Sequence, residues 1–249
     1  MKKIGVVSGK GGVGKTTVAV SLALGLARRG YRVGLVDLDL TGSNVPDILG
    51  RRELGVTEDD KLVPSEYNNV KYVSLGQIVS DGDPVLWDPK DLRSAARQLF
   101  ERTVWGDLDY IVFDFPPGFE AETLEMLPLM DYVLIVTVPS ALSRSKVERM
   151  VEACREYQIP IIGVVENMAY LRCPHCGAPV KVFSEDHRFE EYGIPTIARI
   201  PLDPSIASKK VIEDFPVDRV LEAMKKPVVL TKKPGVKRML LELLLRVIA

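Results

Sequence analysis

Short apolar runs rich in Val and Ile alternate along the chain with longer segments whose apolar positions recur every three or four residues. The first kind predicts strands at Ile4–Val7, Val33–Val36, Tyr110–Phe113, Tyr132–Thr137 and Ile161–Val165, with a weaker one at Thr196–Ile200. These runs lack strict polar alternation, so the strands are expected to be covered on both faces. The second kind predicts helices at Thr16–Arg29, Leu92–Val104, Ser143–Tyr157 and Val217–Met224, with Gly30 closing the first. Strand and helix in alternation imply βαβ units, hence an α/β fold with a mostly parallel central sheet flanked by helices on both faces. The irregular stretch Arg51–Asn69 carries Gly, Pro, Asn and several acids and reads as a surface excursion of the same domain. A single domain over residues 1–249 is the economical reading.

Composition narrows the function classes. With 46% hydrophobic and 27% charged residues, the 249-residue chain has the balance of a soluble globular protein. Its 33 Lys and Arg nearly cancel 34 Asp and Glu, so no overall basic field recruits nucleic acid or anionic lipid, and neither is expected as a partner. No uncharged apolar run is long enough for a membrane span; the most apolar segment, Met239–Ala249, is broken by Glu242 and Arg246. Three cysteines make no disulfide scaffold, and a strand beginning near Lys2 leaves no room for a signal peptide. A reducing, cytoplasmic setting is therefore expected.

The strongest chemical signal is Gly9-Lys10-Gly11-Gly12-Val13-Gly14-Lys15-Thr16, which fits G-x-x-x-x-G-K-[ST] between a strand and a helix. Glycines allow a tight backbone path that points successive N–H groups, Gly11 to Thr17, at phosphate oxygens, and the helix adds its positive end. Lys15 would reach the β- and γ-phosphates and the Thr16 hydroxyl would ligate Mg²⁺, making a nucleotide the expected ligand.

Carboxylates stand where such a site needs them. Val33–Val36 runs into Asp37-Leu38-Asp39, and Tyr110–Phe113 into Asp114-Phe115-Pro116-Pro117-Gly118. Acids at the carboxyl ends of parallel strands face the crevice where ligands bind. Asp114 would hold the Mg²⁺ shell; Asp39 would orient the attacking water or cap the metal, and Asp37 could do either. The turn at Pro116–Gly118 is placed to respond to loss of the γ-phosphate.

Leu171–Val180 holds two of the three cysteines as Cys173-Pro174-His175-Cys176. A tetrahedral zinc or a cubane cluster needs four ligands, so one chain owns half a site. A redox dithiol is an alternative, although Gly177-Ala178-Pro179 breaks the helix that would lower a thiol pKa. A single-chain zinc site would need His175 and His187, at a spacing that fits a knuckle poorly. Cys154, inside a predicted helix, reads as core packing.

The spelling KGGVGKTT resembles the deviant Walker A motif of the class that includes MinD, ParA and the nitrogenase iron protein. Together with Val36-Asp37-Leu38-Asp39-Leu40-Thr41-Gly42-Ser43-Asn44-Val45-Pro46, Asp114-x-Pro116-Pro117-Gly118, Gly163-Val164-Val165-Glu166-Asn167-Met168, Cys173-Pro174-His175-Cys176-Gly177 and Ile200-Pro201-Leu202-Asp203, it resembles the Mrp/ApbC family of iron–sulfur carrier ATPases over most of Ile4–Pro216. The resemblance implies that the nucleotide is ATP or ADP, in a homodimer in which Lys10 reaches the partner's nucleotide and Cys173 and Cys176 of each subunit share one [4Fe–4S] cluster. It further implies a cluster donor, recipient apoproteins, and an adenine pocket made by Asn167 with Pro201, Leu202 and Asp203. Relatives usually continue Pro-Pro-Gly with Thr-Gly-Asp where this chain has Phe119-Glu120-Ala121-Glu122, which implies slow ATP hydrolysis. Some carry an N-terminal extension, so the resemblance is to a minimal carrier.

Two other readings stay open. The basic and apolar segment Val236–Ala249 would suit a MinD- or ParA-like positioning ATPase that lies on lipid, although its apolar density fits a helix packed on the sheet better. The CPxCG spelling equally suits a zinc-bridged dimer, since thiolates accept either metal.

Overall fold

The computed structural model describes residues 1–39, 42, 44–78, 88–118, 121–183 and 189–232. In chain order the elements are β1 Lys2–Ser8, α1 Lys15–Ala27, β2 Val33–Asp37, α2 Val45–Leu49, β3 Gly55–Val56, β4 Leu62–Val63, β5 Ser65–Tyr67, β6 Val70–Ser74, α3 Pro89–Glu101, β7 Tyr110–Asp114, α4 Ala121–Met126, β8 Tyr132–Thr137, α5 Ala141–Tyr157, β9 Ile161–Glu166, β10 Tyr170–Arg172, β11 Pro179–Lys181, β12 Thr196–Arg199, α6 Pro204–Lys209 and α7 Val217–Ala223. Eight strands form one sheet in the order β12-β9-β8-β1-β7-β2-β6-β5, parallel except for the β5–β6 pair.

Period-two alternation splits the strand side chains between two cores. Ile4 and Val6 of β1, Val112 of β7 and Leu134 and Val136 of β8 pack against α1 and α7 on one face. Val7, Ile111, Phe113, Val133 and Ile135 pack on the other face with Ala96 and Leu99 of α3 and Val147, Met150 and Val151 of α5. Burying one such side chain stabilises the fold by about 1.5–3 kcal/mol. Helix α1 is enclosed over most of its circumference, with eleven of its thirteen residues buried, so its sequence lacks a polar face.

The six expected strands and four expected helices all occur, with shifted ends. The helix expected at Leu92–Val104 instead starts at Pro89, capped by Asp88, whose carboxylate accepts the N–H groups of Lys90 and Asp91. It stops at Glu101, because buried Thr103 turns its hydroxyl back to the Leu99 carbonyl and Val104 N–H donates to Leu62 O. The excursion Arg51–Asn69 is only partly outside the sheet. After the small β3–β4 hairpin, Ser65–Tyr67 pairs antiparallel with Val70–Ser74, which is a further parallel strand beside β2. Asn68 and Asn69 make the two-residue turn between them with φ of 46° and 63°, a conformation asparagine tolerates.

One regularity positions the site. Every parallel strand ends on a polar or charged residue: Ser8, Asp37, Ser74, Asp114, Thr137, Glu166 and Arg199. The first six of these are buried. They line the carboxyl edge of the sheet, where β1 lies between β7 and β8.

Candidate nucleotide and metal site

The loop from β1 to α1 has the conformation its glycines permit. Gly12 and Gly14 take φ of 76° and 81°, and Gly14 is the N-cap of α1, which has no side-chain cap and no acidic residue in its first turn. The helix therefore opens onto the crevice with its positive end unopposed. Two glycines are required by close approach as well. A Cβ on Gly9 would lie 2.4 Å from Lys146 Cβ of α5 and 2.8 Å from its backbone carbon, and one on Gly14 would lie 2.1 Å from Asn167 Nδ2. Val13 is buried in the α1 core, so its side chain anchors the loop while its carbonyl accepts from Asn167 Nδ2 at 2.9 Å. Gly11 and Gly12 are exposed, Thr16 and Thr17 half-buried.

Lys15 is buried and its Nζ donates to Asp114 Oδ1 at 2.6 Å. Asp114 is wholly buried; desolvation pushes its carboxyl above the ordinary range, while Lys15 and the Thr16 hydroxyl favour the charged form. Its second oxygen, Oδ2, is buried with no hydrogen-bond partner among the described residues. A carboxylate oxygen left over beside a threonine hydroxyl is a donor set that fits a hard, oxygen-seeking cation such as Mg²⁺.

The other two acids differ in what holds them. Asp37 is fully buried and pairs in register with Asp114. Its Oδ1 accepts the Asp39 N–H at 3.1 Å, and its Oδ2 accepts the Ser74 hydroxyl at 3.0 Å and the Val45 N–H at 3.4 Å. It thus buttresses the start of the β2–α2 connection. Asp39 accepts the Gly42 N–H at 2.8 Å and lies near the crevice surface, 8% exposed. Lys10 is half-buried, and its ammonium makes no hydrogen bond or ion pair among the described residues. Its carbonyl accepts the Ser8 hydroxyl, and Ser8 O accepts the Gly118 N–H at 2.9 Å, tying the loop after β7 to the P-loop. Phe119 and Glu120 lie outside the described residues; Glu122, in α4, is buried.

Asn167 is 4% exposed, with its backbone N–H on Thr137 O. Pro201 and Asp203 are half-buried, and Leu202 is 39% exposed. Asp203 caps α6 and is held below the usual carboxylate range by the side chain and backbone N–H of Ser205, with a smaller contribution from Arg172. Arg172 belongs to β10, so the Pro201–Asp203 loop and the cysteine segment adjoin. Sequence reasoning missed two supports here: Ser74 under Asp37, and Arg199, whose Nε donates to buried Glu166 Oε2 at 2.7 Å. The polar ends of the strands were the available signal.

Cys173 and Cys176 sit at the tip of the β10–β11 hairpin. Arg172 pairs with Pro179, Cys173 N–H donates to Ala178 O, and Gly177, with φ of 70°, donates to Cys173 O. No helix follows the pair, so the thioredoxin-like arrangement is not formed. Cys176 is exposed and Cys173 partly so. The backbone N–H groups of Cys176 and His175, and the Cys176 thiol, hold the Cys173 thiol below its ordinary pKa. Among the described residues no three His, Cys, Asp or Glu side chains converge on a metal position. His175 is exposed, while His187 and Val236–Ala249 lie outside the described residues. Cys154 is buried in the α5 core, as expected, and desolvation pushes its thiol up to about 12. No described helix is long and apolar enough to cross a membrane.

A family model described as ParA, NUBPL iron-transfer P-loop NTPase, matches residues 1–229. An iron–sulfur cluster carrier protein of Saccharolobus solfataricus is 40% identical over 214 residues, covering 82% of this chain and 72% of that protein. A cytosolic Fe–S cluster assembly factor NUBP2 homolog of Dictyostelium discoideum is 35% identical, covering 86% of each. Among solved structures, a nucleotide-binding protein of Archaeoglobus fulgidus in complex with ADP, with cobalt found in it, superposes with a TM-score of 0.72 at 29% identity over 87% of both chains. The cell division ATPase MinD of Pyrococcus furiosus superposes at 0.65, with 24% identity, over 90% of this chain and 98% of that one, a likeness of fold.

Proposed function

The chain belongs to the ParA-related, NUBPL-type iron-transfer P-loop NTPases, and from that premise we propose that it is an ATP-hydrolysing iron–sulfur cluster carrier of the cytoplasm. It works as a homodimer that takes one [4Fe–4S] cluster from a donor protein, bridges it through Cys173 and Cys176 of both subunits, and passes it to recipient apoproteins. The observation that carries this reading is an exposed pair of thiols at a hairpin tip with no third ligand among the described residues. Two such tips related by a two-fold axis give the four soft ligands a cluster needs.

In this reading the P-loop N–H groups from Gly11 to Thr17 and Lys15 hold the phosphates of ATP or ADP. Mg²⁺ would be held by Thr16 and Asp114, with Asp39 at its outer side; bound there, it neutralises phosphate charge. Asp39 orients the attacking water, and Asp37 fixes Asp39 through its backbone N–H. Asn167 reads adenine with the amide edge left over from its bond to Val13 O, and Pro201 to Asp203 flank the base. Lys10 is free to reach across the dimer. Hydrolysis is slow, because the Thr-Gly-Asp continuation of the family is replaced by Phe119 to Glu122.

Anaerobic reconstitution with iron and sulfide tests the reading. A brown dimer that loses its colour in Cys173→Ala and Cys176→Ala supports it. One zinc per two chains and no acid-labile sulfide supports a zinc-bridged regulatory dimer instead.

A further inference from the structure

Strand β9 ends at Glu166, and only five residues separate Asn167 from Cys173. What lies between them is a turn and the first strand of the thiol hairpin. Asn167 is fastened to the P-loop through Val13 O and to the sheet through Thr137 O. Met168 then takes φ of 53°, the left-handed conformation that side-chain-bearing residues other than Asn and Asp seldom adopt. Such backbone persists only where its surroundings over-determine it. Here the surroundings are visible. The Met168 side chain packs against the α1 core, and its Cε would stand 3.8 Å from a Cβ placed on Gly14.

Beyond Met168 the chain is tied to the base-side loop by main-chain bonds. Ala169 N–H donates to Ile200 O and Leu202 N–H to Tyr170 O, each at 2.8 Å. The floor under the hairpin is rigid, since Ile200 N–H donates to Glu166 O and the Arg199–Glu166 ion pair clamps β9 to β12. The hairpin itself stands over a cavity of about 250 Å³ between that floor and its inner face, formed by Tyr170, Pro179 and Lys181. Fixed floor, open space and one conformationally unusual residue together describe a pivot.

We propose that Met168 is a positioning residue that transmits nucleotide occupancy at the P-loop and the Pro201–Asp203 loop to the pitch of the Cys173–Cys176 hairpin. A nucleotide seated between Asn167 and Leu202 fixes both anchors of the hairpin at once. The two thiols are then presented at one angle with nucleotide and at a range of angles without it, which is how a carrier changes its grip on a shared cluster. This rests on the carrier reading for the nucleotide position, but not on any cluster being bound.

Hydrogen exchange of the full-length, reduced, metal-free protein with and without MgADP tests it, with ADP affinity measured in parallel by calorimetry. Amides of residues 170–181, in and around the hairpin, slow by about fivefold with ADP. Met168→Asn, which accepts the left-handed turn, keeps that slowing. Met168→Gly, which frees the turn, reduces it below about twofold in protein that still binds ADP, with affinity lowered by no more than the roughly fivefold coupling removed. ADP binding without slowing in the wild-type protein overturns the pivot and leaves the carrier reading standing. Equal slowing in wild-type and Met168→Gly proteins removes Met168 from the role. Failure to bind ADP at all overturns the nucleotide-dependent reading itself. If Met168→Gly does not fold, retained slowing in Met168→Asn supports the proposal and its loss there contradicts it.

Discussion

Lys15 Nζ lies 2.6 Å from Asp114 Oδ1, and both side chains are almost completely buried. The P-loop lysine has the carboxylate at the end of β7 as its counter-charge. Neither partner could stand there alone, because an unpaired charge without solvent costs several kcal/mol.

Lys15→Met is therefore expected to destabilise the nucleotide-free protein by about 3–5 kcal/mol at neutral pH. The deficit depends on pH with a defined sign. Burial already pushes the Asp114 carboxyl up, and loss of Lys15 pushes it further. A group whose folded pKa lies above its unfolded value of about 3.9 gives stability that is fully present below that value and lost as pH rises through the folded one. Denaturant titrations should show the deficit smallest near pH 4 and growing toward neutrality. Adding Asp114→Asn should flatten it. A deficit that does not vary with pH would show that Asp114 does not carry it.

Gly14→Ala places a methyl 2.1 Å from Asn167 Nδ2 at a residue with φ of 81°. Backbone strain alone costs about 1–3 kcal/mol, and Asn167 must also leave Val13 O. The expected outcome is a folded protein of lower thermal midpoint that binds ADP at least tenfold more weakly, about 1.4 kcal/mol. Asn167→Ala should keep phosphate affinity largely intact while erasing the preference for ADP over GDP, read by calorimetry with both nucleotides.

Thiol chemistry separates the three cysteines. With its thiol raised to about 12 and enclosed by the α5 core, Cys154 should stay unmodified by iodoacetamide at pH 8, whereas Cys173 and Cys176 react. Mass spectrometry of the native protein should find both hairpin cysteines labelled and Cys154 only after denaturation. Early labelling of Cys154 would contradict the packing of α5.

The sequence announced the parts of the fold whose local chemistry is self-sufficient. The P-loop glycines, the β-branched strand runs and the acids at Asp39 and Asp114 are readable because each residue type has few other uses in that setting. Val70–Ser74 is hard to read as a strand because Lys71 interrupts a short apolar run and the paired asparagines before it resemble an ordinary loop. Their left-handed turn makes sense only once Ser65–Tyr67 is seen to pair back. The Asp37 buttress was hidden for another reason: its partner Ser74 is 37 residues away, and a serine at a strand end carries no mark of what it supports. The same holds for Arg199 under Glu166. Long-range polar pairs of this kind come from strand order, which periodicity does not encode.

The central claim is that two copies of the Cys173–Cys176 hairpin share one cluster. The most direct measurement is iron and acid-labile sulfide per chain, together with mass in solution, on anaerobically reconstituted protein beside Cys173→Ala and Cys176→Ala. The account predicts a dimer holding four iron and four sulfide per two chains, and no cluster in either variant. A cluster-bearing monomer, or a cluster retained after either cysteine is removed, would contradict it.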